Sequence, residues 1–71
     1  MDKIKDLQQW GRTLLASKED SAIAALETDL LLAAVLQKDR LYLMLNGEEK
    51  VEGQIGEKFV YLLNQRLEGK P

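Results

Sequence analysis

The sequence contains no cysteine and no histidine. The first absence removes disulfide staples and thiolate chemistry, and fits a reducing compartment. The second removes the commonest general base and metal ligand. Positive charge is not in excess either: ten Lys plus Arg stand against twelve Asp plus Glu, for a net charge of −2. A nucleic-acid binder usually displays a basic face, and a helix-turn-helix reader needs a basic recognition helix. Here only Lys58 and Arg66 are basic in the last helical segment before its terminus. Long apolar runs are missing too. The longest, Leu30 to Leu36, has seven residues, against the roughly 20 of a membrane-spanning helix. Met1-Asp2-Lys3-Ile4-Lys5 lacks the apolar centre of a signal peptide. These absences lead us to expect a soluble, cytoplasmic chain with no anchor.

No catalytic constellation is visible. Ser17, Ser21, Thr13 and Thr28 have only carboxylates near them in sequence, whereas a nucleophile needs an adjacent base. No Asp-x-Asp-x-Asp-Gly loop is present for calcium. Gly47 belongs to a turn, and the other four glycines are isolated within or after helical segments. None of the five forms a phosphate-cradling loop at a helix start. Glu27 and Asp29 lie two apart and so point away from each other on a helix. They read as a polar edge on a buried helix, not as an acid/base pair. No catalytic, cofactor-binding or metal-binding residue is assigned.

What is present is a helical pattern. Seventy-one residues with 45% apolar content give one domain with one core, burying about 60% of the unfolded surface. Lys3 to Ala16 fits an amphipathic helix with Ile4, Leu7, Leu14 and Leu15 on one stripe. Gly11 sits within that stripe, which points to close approach of a neighbouring helix. Trp10 lies at its edge, and Lys3, Lys5, Gln8, Gln9 and Arg12 form the wet face. Ser17 is a candidate N-cap, with Asp20 three residues later. Helix then runs from about Lys18 to Gln37, as one helix or as two kinked near Thr28. Its run Leu30 to Leu36 is apolar all round and should be covered on all sides.

Asp39 is a candidate cap for Arg40 to Leu45, a segment ambiguous between helix and strand and favoured as a short helix because a lone strand has no partner. Asn46-Gly47 is the strongest turn signal, and Glu48, Glu49 and Lys50 make a solvated loop. Val51, Ile55, Phe59 and Leu63 mark a last helix from about Glu52 to Glu68, weakly capped by Glu52 and ended by Gly69. Lys70 and Pro71 should not extend it far. The expected fold is all-α: a small orthogonal bundle of four to five helices.

This order resembles the N-terminal domain of the release-factor glutamine methyltransferases, the PrmC/HemK family. The family pattern Asp-Ala-Glu-Leu-Leu-Leu-x-x-Val-Leu is matched by Glu27, Thr28 and Asp29 followed by Leu30 to Leu36. The following basic and aromatic/leucine segment is matched by Arg40, Leu41, Tyr42 and Leu43. The closing Arg-x-x-Gly-x-Pro is matched by Arg66, Gly69 and Pro71. The chain departs from the pattern at Thr28, where a β-branched residue replaces a small one.

The resemblance implies a parent enzyme that moves a methyl group from S-adenosylmethionine to the Gly-Gly-Gln glutamine of class 1 peptide-chain release factors. It implies that chemistry and cofactor belong to a Rossmann-like catalytic domain with an Asn-Pro-Pro-Tyr motif, which residues 1–71 do not contain. This chain would be the separated domain that docks the release factor. It would bind no S-adenosylmethionine itself, and its partners would be the release factor and the catalytic domain of the same parent, with no nucleic acid and no membrane. The alternative is a free-standing helical adaptor, for which Trp10, Tyr42 and Met44 would supply an exposed anchor; the ordinary role for these three is core or core edge.

Overall fold

A computed structural model describes residues 2–69; the expectation about Lys70 and Pro71 falls outside them. Four α-helices follow in order: α1 Ile4–Leu15, α2 Ser21–Leu36, α3 Arg40–Leu45 and α4 Gly53–Leu67. The chain is an all-α bundle. The segment expected over residues 18–37 forms one continuous helix, the shorter α2, and residues 40–45 are helical. No described helix is long and apolar enough to cross a membrane.

Each helix end has a local cause. Asp20, not Ser17, caps α2: its carboxylate accepts from the Ala22 N–H at 2.8 Å. The Ser17 hydroxyl instead donates back to the Leu14 carbonyl at 2.6 Å, so Ser17 belongs to the end of α1. Asp39 caps α3 as expected, accepting from the Tyr42 N–H at 2.9 Å. Glu52 precedes α4 without a side-chain cap, and Gly69 ends it in the left-handed conformation at φ 81°, where glycine carries no Cβ penalty.

The N-terminus of α1 has no side-chain cap and is completed from a distance. The Ile4 N–H donates to the Glu49 carbonyl at 3.0 Å and the Lys5 N–H to the Gly47 carbonyl at 2.9 Å. A single antiparallel bridge joins Lys3 to Lys50. The exposed loop after α3 thus supplies acceptors for donors that a helix start leaves orphaned.

The core takes residues from every helix. Ile4, Leu7 and Leu15 of α1 meet Ala24, Leu32 and Ala33 of α2, Leu43 of α3, and Phe59 and Leu63 of α4, with Val51 closing one end. Trp10 lies half-buried at the rim, its ring edge-on to Phe59 with centroids 6.2 Å apart. The closest approach is between α1 and α2 at Gly11. A Cβ built there would lie 2.6 Å from Thr28 Cγ2 and 3.2 Å from Leu63 Cδ1. Thr28 is fully buried and its hydroxyl donates to the Ala24 carbonyl at 2.7 Å, so its methyl is held in place.

The expectation that Leu30 to Leu36 is covered on all sides is not met. Leu32 and Ala33 are buried, but Leu30 is 52% exposed, and Ile23 and Leu26 share its outer face at 50% and 41%. The other three helices cover one side of α2, and the six-residue α3 is too short to wrap the other.

Replacing Gly11 with Ala should destabilise the fold by about 1–2 kcal/mol, because overpacking a tight contact outweighs the better helix propensity of alanine. In a Thr28→Ser background, which lacks Cγ2, the same change should cost close to nothing. Chemical denaturation of the four proteins of this cycle measures both values.

Candidate functional site

The polar residues singled out in the sequence converge on two junctions between helices. At the first, Asp29 of α2 is 4% exposed and is reached from two other helices. One guanidinium nitrogen of Arg12 lies 3.0 Å from each of its carboxylate oxygens. The Gln8 amide donates at 3.1 Å and Arg40 of α3 at 3.3 Å. Gln8 and Arg12 are therefore not simply a wet face. Their i, i+4 spacing puts both donors on one side of α1, and a buried carboxylate waits there.

At the second junction, Arg66 of α4 reaches back to α2. Its Nε and Nη2 both bond to Glu27, the latter at 2.9 Å, and Nη2 also bonds to Glu19 at 2.8 Å. Glu27 and Asp29 thus point to different neighbours, as their spacing requires. Glu19, which reads in the sequence as an acid favourable in the first turn of a helix, is the unexpected member, because it pairs with Arg66. Its Oε2 is buried without a partner donor. Desolvation, and then a hydrogen bond with Glu27, push its carboxyl above the ordinary glutamate value of 4.5. Glu27 is held below that value, chiefly by its hydrogen bond from Arg66. Of the two carboxyls, Glu19 is thus the one that holds a proton more readily.

A third cluster fastens the loop. Glu48 pairs with Lys3 at 2.9 Å and also with Lys5. Hydrogen bonds to Lys5 and then Lys3 lower its carboxyl to about 2. Tyr42 donates to Glu49, which raises the phenol above its ordinary value, and Lys38 lies 4.9 Å over its ring. Of the three residues considered as an exposed anchor, Trp10 and Tyr42 are thus engaged within the fold, and Met44 alone is exposed, at 78%.

None of these arrangements poses a base against a nucleophile. Among the described residues, no group of three or more His, Cys, Asp or Glu could hold a metal ion. The junctions bind helix to helix, and what the site offers a partner is surface.

The sequence profile of the family described as the PrmC N-terminal domain matches residues 6–71. The chain belongs to that family. No curated protein matches the chain, and no solved structure does.

In this PrmC N-terminal domain, the residues that carry the family pattern have structural work. Glu27 and Arg66 tie α2 to α4, Asp29 and Arg40 tie α2 to α3, and Thr28 packs against α1 at Gly11. The Gly69 position ends α4; Pro71 lies outside the described residues. Several apolar side chains outside these junctions face solvent. The most exposed are Met44 and Leu45 at 78% and 74%, with Leu41 on the same short helix at 59%.

Either arginine alone leaves Asp29 with a cationic partner, whereas losing both strands a buried carboxylate, which is strongly destabilising. Arg12→Ala and Arg40→Ala should each cost about 1 kcal/mol, and the double variant more than their sum by about 1 kcal/mol or more. Urea denaturation of the cycle measures the coupling.

A second outcome concerns pH. Because the folded carboxyl of Glu19 lies above its unfolded value, its contribution to stability is present below pH 4.5 and is lost as pH rises through the folded value. Glu19→Gln keeps an oxygen for Arg66, presents an amide donor to Glu27, and has no proton to lose. Its thermal midpoint should exceed that of wild type near pH 7, and the difference should vanish below about pH 4.

Proposed function

We propose that this chain is the release-factor-docking domain of a protein-(glutamine-N5) methyltransferase. The parent enzyme uses S-adenosylmethionine to methylate the Gly-Gly-Gln glutamine of class 1 peptide-chain release factors. Chemistry and cofactor reside in a catalytic domain of the same cytoplasmic protein, and this domain contributes binding and orientation. The observation that carries the reading is the family match over residues 6–71.

Two features of the bundle support it. The family-pattern residues Glu27, Asp29, Arg40 and Arg66 are spent on holding helices together, which gives a rigid scaffold. Rigid surfaces bind with less ordering cost than flexible ones. On α3, Leu41, Met44 and Leu45 fall at i, i+3, i+4 and are exposed together while Leu43 is buried. A short helix that turns its apolar side chains outward is suited to packing against another protein.

Titration calorimetry with a class 1 release factor tests the reading. A saturable heat of binding is expected from the release factor, and none from S-adenosylmethionine. A release factor that gives no binding at the highest soluble concentrations would remove the docking role. Saturable cofactor binding by these 71 residues would remove the assignment of the cofactor to another domain.

A further inference from the structure

One concavity of the bundle lies apart from the residues that carry the family pattern. It is an open groove of about 390 Å³ between the start of α1 and the first half of α4. This is within the size range of pockets that take a ligand or a bulky side chain. Leu7, Val51 and Val60 give it an apolar lining, and Asp2, Glu57 and Tyr61 also border it. Tyr61 is 62% exposed, an amphipathic aromatic of the kind enriched where proteins meet.

Two observations bear on the occupant. The first is charge. Neither Asp2 nor Glu57 forms an ion pair among the described residues. The lysines nearest Asp2 in sequence, Lys3 and Lys5, are committed to Glu48. Asp2 is felt by Lys3 only at longer range, so an apolar groove bordered by two carboxylates without an ion pair among the described residues complements an apolar side chain flanked by cationic ones.

The second is the glycine content of the wall. Gly53 and Gly56 line the groove from within α4, although glycine weakens a helix relative to alanine. At Gly11 the fold itself requires the missing Cβ. At Gly53 and Gly56 it does not, since a Cβ added at either would meet nothing within 4 Å. Their effect is to leave the groove wide and to let another chain come close to the α4 backbone.

We propose that this groove receives a bulky apolar side chain presented by a Lys- or Arg-flanked segment of the release factor. This rests on the docking role argued above and assigns it a place. The apolar side chain covers Leu7, Val51 and Val60, Tyr61 closes over it, and the flanking cations pair with Asp2 and Glu57.

Wild type is compared by titration with a class 1 release factor against Gly56→Leu, which plugs the groove, Glu57→Lys, which reverses the charge at its edge, and Glu57→Gln, which removes it. Met44→Ser, outside the groove lining, is the control for the α3 surface. Gly56→Leu should fold at least as stably as wild type, because it gains helix propensity and its Cβ meets nothing within 4 Å; its thermal midpoint checks this. Each groove variant is expected to weaken binding tenfold or more. Wild-type affinity is expected to fall with added salt more steeply than that of Glu57→Gln.

Binding unchanged in either groove variant would overturn the groove while leaving the docking role intact. A loss confined to Met44→Ser would move the contact to α3 and overturn the groove as well. No binding by wild type would overturn the groove and the docking role together.

Discussion

The bundle depends on one contact without a side chain on one side of it. At Gly11 the backbone of α1 comes so close to α2 that the methyl of Thr28 fills the place of a Cβ. The longest helix is seated there, and its position fixes the others. Arg66 of α4 and Arg40 of α3 are attached to carboxylates on either side of Thr28. Glu27, Thr28 and Asp29 are three consecutive residues: Glu27 is tied to α4, Thr28 packs against α1, and Asp29 is reached from both α1 and α3. A shift of α2 along α1 would break all three attachments at once.

The departure at Thr28 from the family's small residue has its explanation in the same contact. A β-branched side chain in a close helix crossing needs room on the opposite helix, and Gly11 provides it. Its hydroxyl is satisfied by the Ala24 carbonyl one turn back, so the larger residue buries no unpaired polar group. The change is therefore local and compensated. It leaves the two flanking acids in their interhelical ion pairs.

Much of this was legible in the sequence. Amphipathic spacing located α1 and α4, and Gly11 within an apolar stripe announced the close approach. Asp39 announced α3, and Gly69 announced the end of α4. What was not legible came from long-range partners. The choice of Asp20 over Ser17 as the cap depended on where α1 stops. The solvent-facing side of α2 depended on how few helices surround it. Glu19 looked like an ordinary acid near a helix start because its partners, Glu27 and Arg66, come from other turns and another helix. The groove had no sequence signal at all, since Asp2, Leu7 and Val51 join α4 only after folding. Gly53 and Gly56 looked like weak points in a helix start, and their openness to solvent could not be read without the neighbours.

The completion of α1 by the loop after α3 has a consequence for synthesis. The carbonyls of Gly47 and Glu49 accept from the first two residues of α1, and Val51 donates back to Asp2 at 2.6 Å. A polypeptide leaves the ribosome N-terminus first. The opening turn of its first helix therefore stays unfinished until the chain has grown past residue 51. Birth order and folding order differ here: the first helix made is completed among the last, and the nascent domain acquires its native N-terminal end only when most of its length has emerged.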